Sequence, residues 1–227
     1  MAKILIIVTS AGEYAKAGYR TGLWLGELSH FTDVVEQAGH ETTIASIAGG
    51  RVPIDPESLA HDVLADGGTA ERYADREYMD RLEDTVAVSE VSADDYDAIY
   101  LTGGHGVMFD FDDESLAKLI SDFDARGKIV SAVCHGPAGL LQARRADGEY
   151  VISGRDVTGF SWPEEESAQR ADVVPYRLED ELADRGARYS KADDQFVEHV
   201  VTDKTLITGQ NPQSAHGVAR AVVDALA

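Results

Sequence analysis

The chain has 227 residues, of which 44% are hydrophobic, and its formal net charge is −21. This length and apolar content suffice for one buried core, so we expect a single domain spanning 1–227. So negative a chain argues against nucleic acid and anionic lipid as partners, because both need a basic surface. A surface poor in lysine and rich in aspartate is also typical of halophilic proteins, in which a high-salt cytoplasm screens the self-repulsion.

The first apolar run, in MAKILIIVTS, ends before Thr9 and is too short for a signal peptide or a membrane span. No other run is long enough, so we expect a cytoplasmic protein that does not contact the membrane. The chain contains one cysteine, Cys134, which excludes an internal disulfide and a cysteine-cluster zinc site. The thiol is therefore either structural or reactive.

Continuous apolar runs that end in small polar residues predict strands buried on both faces, and apolar positions at helical spacing predict helices between them. In chain order, the predicted elements are strand KILIIVTS, a helix from Trp24 to Ala38 that Gly39 ends, strands ETTIASI and DAIYLTGG, helix ESLAKLISDFDARG, strand KIVSAV, helices HGPAGLLQAR and VVPYRLEDELADRG, strand KTLITG and the closing helix NPQSAHGVARAVVDALA. This alternation predicts an α/β fold with a mostly parallel sheet covered on both faces. The polar segment 53–90 interrupts it and is predicted to be a helical insertion over one end of the sheet.

The stretch KIVSAVCHGPAGLL places Cys134 where a buried strand meets a helix, as in a nucleophile elbow. Such a turn is strained and needs small residues two positions before and after the nucleophile, here Ala132 and Gly136. The start of the following helix would favour the thiolate, so we expect a low thiol pKa. Most free cysteines are simply buried and inert. The junction, the small flanking residues and the adjacent His135 favour a reactive thiol instead.

Four motifs in this order, TGGHGVMFDF, AVCHGPAGLL, TGFSWPEEE and TGQNPQSAHGVA, resemble the ThiJ/PfpI superfamily of glutamine amidotransferase-like proteins. More narrowly, they are similar to its heat-shock-associated glyoxalase III subgroup. The resemblance runs from Lys3 to the last helix and is weakest in the insertion. It implies a flavodoxin-like three-layer sandwich, a homodimer and no cofactor.

The resemblance also implies a catalytic triad in which Cys134 is the nucleophile and His135 is its histidine. The acid follows the T-G-F motif of residues 158–160, where three consecutive glutamates occur. By spacing we select Glu165, with Glu164 as the second choice. Acidic runs are usually solvated, so at least two of the three glutamates are expected to be exposed.

A separate glutamate of the family matches Glu27 in GLWLGELSHF. An acid within an apolar stretch, in the first turn of a helix, is costly unless it is used. Alternatively, it merely interacts with the helix dipole. Burial beside a thiol would keep Glu27 protonated and suit it for general acid–base catalysis.

The glycine turn after DAIYLTGG is predicted to line the pocket, because ligands of open α/β sheets bind at the carboxyl ends of strands. The N–H groups of Gly103, Gly104 and Gly106, with that of His135, could form an oxyanion hole. His105 either lines this pocket or is a bystander. No metal site is expected, because His105, like His30 and His61, has no partner at ligand spacing. His216 is expected to cap or to pack the last helix.

The resemblance implies that the substrate is a small reactive carbonyl compound, with methylglyoxal converted to lactate without glutathione. A glutamine amidotransferase would need a His-x-Glu pair after the nucleophile, and none occurs in the second half of the chain. A cysteine peptidase of the PfpI type stays open by family name. A stress chaperone or protein-repair factor also stays open, although a chaperone would need an exposed apolar patch.

Overall fold

The structure is a computed structural model that describes residues 1–227. Its strands are β1 (Lys3–Val8), β2 (Glu41–Ser46), β3 (Val86–Ala87), β4 (Ala98–Leu101), β5 (Ile129–Val133), β6 (Asp156–Val157), β7 (Arg188–Tyr189), β8 (Val200–Asp203) and β9 (Leu206–Gly209). Seven of them form one sheet in the order β3-β2-β1-β4-β5-β9-β8, and only the β8–β9 pair is antiparallel. Strands β6 and β7 form a separate parallel pair.

The helices cover both faces of this sheet. They are α1 (Leu25–Gln37), α2 (His61–Leu64), α3 (Thr69–Ala74), α4 (Arg76–Asp80), α5 (Val107–Asp110), α6 (Glu114–Ala125), α7 (Trp162–Ser167), α8 (Leu178–Asp184) and α9 (Ala215–Leu226). None of them combines the length and the apolarity needed to cross a bilayer.

The mostly parallel α/β sheet predicted from the sequence is confirmed, and so are the five strands predicted for it, which are β1, β2, β4, β5 and β9. Strand β1 alternates between the two cores: Leu5 and Ile7 pack in one, and Ile4 and Ile6 in the other. Because successive side chains of a strand point to opposite faces, a strand that is apolar throughout requires covering layers on both sides. This explains why the predicted runs were continuous rather than alternating.

Two predicted helices are shorter than expected. HGPAGLLQAR forms only a 3-10 helix at Gly136–Leu140, and VVPYRLEDELADRG is helical only in α8. Pro175 disfavours helical geometry at Val174, which explains the late start of α8. The sequence patterns also missed the two-residue strands β3, β6 and β7, whose pairing depends on distant partners, and β8, which forms a hairpin with β9.

The segment 53–90 is helical, as predicted, but it packs mainly along α1. The Tyr78 hydroxyl bonds to Thr32 and the Thr69 hydroxyl to Ser29. Its last part forms β3 at the edge of the sheet, beside β2. Its start at Asp55–Glu57 is the portion that reaches the sheet's carboxyl end, where Glu57 borders the cavity described below.

The turn after β5 has the geometry of a nucleophile elbow. Cys134 has a φ of 57°, in the left-handed region that non-glycine residues rarely adopt. A methyl group on Gly136 would lie 2.4 Å from the carbonyl oxygen of Leu101. The small residue predicted two positions after the nucleophile is therefore required by close contact with the backbone of β4.

Replacing Gly136 by alanine is expected to destabilise the protein by about 3 kcal/mol or more, because the backbone it would strike cannot move aside. The matched control is Gly39→Ala at the end of α1. Gly39 has a φ of 84°, and a methyl group added there would meet no atom within 4 Å, so this variant should lose only about 1–2 kcal/mol from backbone strain. Urea unfolding measures both values, and equal losses would contradict the contact argument.

Candidate active site

The thiol of Cys134 lies at the carboxyl end of β5, next to the turn that follows β4. Glu27 reaches the same point from the first turn of α1 and is fully buried. Gly103 separates the two residues. A methyl group there would lie 2.6 Å from Glu27 Oε2 and 2.8 Å from Cys134 Cβ. Only glycine at this position lets the carboxyl group and the thiol meet. The proximity of Glu27 to the thiol agrees with what the sequence resemblance implied.

His135 connects the thiol to Glu165. Cys134 Sγ lies 3.2 Å from His135 Nδ1, and His135 Nε2 lies 2.8 Å from Glu165 Oε2. The other oxygen, Oε1, lies 2.7 Å from His105 Nε2. An ionised carboxylate only accepts hydrogen bonds, so both histidines donate from Nε2. In neutral His135 the Nδ1 atom is then an acceptor, so His135 and the Glu27 carboxyl group are both placed to accept the single thiol proton of Cys134.

Glu165 is held as a carboxylate. Burial alone would raise its pKa, but the charges and hydrogen bonds of His135 and His105 outweigh burial and lower the pKa to about 2. Burial and the neighbouring His105 lower the pKa of His135, although Glu165 opposes this shift. The resting arrangement is therefore a neutral His135 oriented by an anionic Glu165.

The pKa of the Glu27 carboxyl group is raised, whereas that of Glu165 is lowered. Burial raises the pKa of the Glu27 carboxyl group to about 8, although hydrogen bonding to the Cys134 thiol and to the Gly103 N–H partly offsets the shift. Oε2 accepts the Gly103 N–H at 2.6 Å, whereas Oε1 is buried and has no partner. Oε2 therefore acts as an acceptor, which leaves Oε1 as the oxygen that can carry the proton of a neutral Glu27. A carboxyl group with this pKa can both take and release a proton near neutrality.

The predicted low pKa of the thiol is wrong for this resting geometry. Burial, followed by the charge of Glu27, raises the pKa of Cys134 well above its usual range. The 3-10 helix after the elbow has five residues and supplies little dipole to oppose these effects. The contribution of Glu27 vanishes when Glu27 is protonated, so the thiol and the carboxyl group lose protons as a coupled pair.

The predicted oxyanion hole is only partly available. The Gly103 N–H is used by Glu27, and the Gly106 N–H donates to the Gly22 carbonyl at 3.4 Å. The Gly104 N–H is directed at the Cys134 sulfur. The donor left for a substrate oxygen near the sulfur is therefore the His135 N–H, and the Gly104 N–H can join it only by leaving the sulfur.

The three consecutive glutamates differ in their surroundings. Glu165 contacts His135 as selected, and Glu164 is also fully buried, where it accepts hydrogen bonds from Ser161 and Asn211. Only Glu166 is exposed. The expectation that at least two of them are solvated is wrong, because α7 packs its first turn against the site.

His105 is not a bystander, since it lines the cavity and bonds to Glu165. The ligand atoms of His105, His135 and Glu165 all lie within 4.8 Å of one another, so these residues could hold a metal ion. The expectation that His105 has no partner at ligand spacing is therefore wrong, because the partners are distant in sequence. A metal would have to replace the two Nε2 protons that now bond to Glu165.

His216 stacks on His30 at 4.3 Å, which confirms that it packs the last helix.

The cavity in front of the thiol has a volume of about 110 Å³. It is lined by Trp24, Glu57, Gly104, His105, Cys134, His135, Phe160, Ala168, Phe196, Pro212 and Gln213. A groove of about 670 Å³ beside the insertion is larger, but it contains neither the thiol nor its partners. The candidate active site is therefore the smaller cavity, because that cavity contains the thiol and its partners. No sequence motif pointed to Phe196, although Phe160 belongs to the T-G-F motif.

The sheet and the strained turn place the chain among α/β proteins that carry a cysteine between a central strand and the next helical turn. Residues 23–225 match the DJ-1/PfpI family, and the chain belongs to this family. The family resemblance predicted from the motifs is thereby confirmed.

Several relatives match over almost the whole chain. The glutathione-independent glyoxalase HSP31 of Saccharomyces cerevisiae is 31% identical, and the match covers 99% of this chain and 98% of that protein. A crystal structure of glyoxalase III from Candida albicans is 30% identical with a TM-score of 0.87, covering 99% of this chain and 97% of that one. The structure of Francisella tularensis Rapid Encystment Protein 24 kDa is 36% identical with a TM-score of 0.94, covering 100% of both chains.

Proposed function

We propose that this protein is a glutathione-independent glyoxalase that converts methylglyoxal to lactate. The observation that carries the proposal is the buried Glu27 carboxyl group, with a pKa of about 8, beside the Cys134 thiol at a cavity of about 110 Å³. The full-length similarity to proteins named glyoxalases supports it.

The first step is attack of the Cys134 sulfur on the aldehyde carbon of methylglyoxal. The thiol proton passes to His135 Nδ1, 3.2 Å away, and from there to the aldehyde oxygen. A hemithioacetal results, in which sulfur, hydroxyl and hydrogen share one carbon. Glu165 stabilises the transient imidazolium because its carboxylate already accepts the Nε2 proton.

In the second step, ionised Glu27 removes the remaining hydrogen from the former aldehyde carbon, which gives an enediolate with its negative charge on the former ketone oxygen. Glu27 then returns the proton to the former ketone carbon. The hydroxyl proton of the enzyme-bound carbon moves to the former ketone oxygen, so that the enzyme-bound carbon becomes a thioester. Water attacks the thioester and the thiolate leaves, releasing lactate and restoring the thiol. One molecule of water is consumed, and no external oxidant or reductant is needed.

Steady-state assays with methylglyoxal and with glyoxal, in the absence of glutathione and at low and high salt, test this function. We expect one lactate to form for each methylglyoxal consumed. Glyoxal should likewise yield glycolate, because it has the same pair of adjacent carbonyl carbons. Consumption of methylglyoxal without lactate formation would indicate simple adduct formation and would contradict the proposal.

The alternative functions gain little from the structure. A peptide substrate does not fit a cavity of this volume. A chaperone requires a contiguous apolar surface, whereas the exposed large hydrophobic side chains are limited to Met1, Tyr19, Tyr73, Phe196 and Val197.

We further propose that the chain forms one domain over 1–227 and acts as a homodimer in a cytoplasm of high salt content. The family resemblance supports the dimer, and the net charge of −21 supports the salt adaptation. Light scattering distinguishes a dimer from a hexamer.

A further inference from the structure

Phe196 combines two unfavourable features. Its backbone is left-handed, with a φ of 54°, and its residue surface is 39% exposed. A left-handed conformation costs a bulky residue about 1–3 kcal/mol. An exposed aromatic ring recovers little of that cost through burial. Backbone outliers of this kind are retained mainly where they serve a function.

A buried network holds Phe196 in this conformation. Its N–H donates to Glu164 Oε1 at 2.9 Å, and the same oxygen accepts from Asn211 Nδ2 at 2.8 Å. Asn211 also donates to the carbonyl of Val197 at 2.8 Å. Glu164 itself is fixed by Ser161, whose hydroxyl and N–H donate to Oε2 at 2.7 and 3.0 Å. The segment around Phe196 is therefore tied directly to α7, the helix that carries Glu165.

This network places the ring at the wall of the thiol cavity. Phe196 lines the cavity together with Cys134, and its ring centroid lies 6.2 Å from that of Phe160. Phe160 in turn lies 4.4 Å from His135. Phe160 is nearly fully buried, at 5% exposure, so it is the inner wall and Phe196 the solvent-facing one. The enclosed 110 Å³ is well below the roughly 300–1,000 Å³ of a site for drug-sized ligands.

We propose that Phe196 is the specificity-determining residue of this site and limits its substrates to small 2-oxoaldehydes, with Glu164 and Asn211 as its positioning residues. This assignment rests on the proposed function for the identity of the substrate, but the steric limit concerns access to the thiol itself. It also gives Glu164 a role separate from that of Glu165. Glu165 positions the imidazole of His135, whereas Glu164 positions Phe196.

Alkylation of the thiol tests the steric limit without reference to turnover. Cys134 is the only cysteine, so intact-mass measurement reports its modification without ambiguity. Iodoacetamide serves as the small reagent and N-phenylmaleimide as the bulky one, each referred to its rate with free cysteine. We expect Phe196→Ala to raise the rate with N-phenylmaleimide by about tenfold or more relative to the rate with iodoacetamide, as for removal of a pocket wall.

Val197→Ala is the matched control, because Val197 is equally exposed but does not line the cavity. It should leave the ratio of the two rates unchanged. Glu164→Gln should shift the ratio in the same direction as Phe196→Ala, since it weakens the acceptor of the Phe196 N–H. Equal acceleration of both reagents in Phe196→Ala would indicate general loosening and would overturn the proposal, as would an unchanged ratio.

A substrate pair completes the test. In Phe196→Ala, the ratio of kcat/KM for phenylglyoxal to that for methylglyoxal should rise by about tenfold, mainly through a lower KM for phenylglyoxal. A protein that turns over neither compound but shows the shift in alkylation would refute the glyoxalase function and support the steric role of Phe196. If the wild type turns over methylglyoxal but Phe196→Ala leaves the ratio of kcat/KM for phenylglyoxal to methylglyoxal unchanged, the glyoxalase function is supported and the steric role of Phe196 is refuted.

Discussion

Cys134→Ala is expected to abolish lactate formation from methylglyoxal, with a loss on the order of 10⁴-fold or more in kcat, as for removal of other covalent nucleophiles. The physical reason is that the thiol is the strongest nucleophile at the cavity, and the proposed roles of His135 and Glu27 are proton transfers. Lactate produced in the absence of glutathione is the measurement. Cys134→Ser should be nearly as inactive, because a buried hydroxyl is a far weaker nucleophile than a thiol.

The control for this variant is Ser131→Ala, on the same strand but remote from the cavity, where Ser131 bonds only to the Ile99 carbonyl. It should keep its activity. Alanine at position 134 also removes the thiol from a left-handed residue without changing the strain, so thermal unfolding should shift little. Unchanged turnover in Cys134→Ala would refute the covalent mechanism.

Glu27→Gln is expected to lower kcat by about 10²–10⁴-fold, because the amide cannot accept the proton of the hemithioacetal carbon.

Glu27→Gln should also be more stable to unfolding than the wild type at alkaline pH. The Glu27 carboxyl group has a pKa of about 8 when folded against an ordinary value of 4.5. Folding therefore retains a proton that the unfolded chain has released, and stability falls as pH rises from 4.5 to 8.

The free energy of unfolding of Glu27→Gln minus that of the wild type gives the pH dependence that is due to the Glu27 carboxyl group alone, because the contributions of the other carboxylates cancel. The difference should increase in favour of the variant between pH 5 and 9, by an amount on the order of a few kcal/mol. Chemical denaturation at a series of pH values measures it. A difference that stays constant with pH would show that Glu27 is ionised in the folded protein and would remove the basis for its role as an acid–base catalyst.

Glu165→Gln is the matched comparison, because the sign of the linkage is reversed. The folded pKa of Glu165 lies at about 2, below its ordinary value of 4.5. Its contribution to stability is present above pH 4.5 and is lost as pH falls towards 2. Glu165→Gln should therefore be less stable than the wild type at neutral pH, and this deficit should shrink in acid. Glu166→Gln, at the exposed neighbouring position, is the control for removing one carboxylate from this run.

The pattern of apolar runs was sufficient for the layered α/β fold, because strands that are apolar on both faces can be stable only between two covering layers. It was insufficient for the short strands β6, β7 and β8. Strands β6 and β7 have two residues each and pair with each other although they lie far apart in the chain. Strand β8 pairs with the adjacent β9, but its four residues are only partly buried and give no continuous apolar run. Helix length was overestimated after the elbow, where Gly136 is required by its close contact with the backbone of β4 rather than by helix propensity.

Local motifs were also sufficient to nominate Cys134, His135, Glu27 and Glu165, and the structure brings all four together. The protonation of the thiol was predicted with the wrong sign. A helix start next to Cys134 suggested a low pKa, but the dominant effects are burial and the carboxyl group of Glu27. These two effects arise from packing between α1, β4 and β5, and no short stretch of sequence contains all three.

The sequence alone determined the fold class and the elbow, because strand burial and tight turns each depend on a few neighbouring residues, and its family resemblance nominated the side chains that meet at the site. Only the tertiary structure decided which protons those groups carry, which N–H groups remain free, and that His105 shares Glu165 with His135. It also decided that Glu164 positions Phe196. These properties depend on desolvation and on distances between residues far apart in the chain, which are set only when the layers pack.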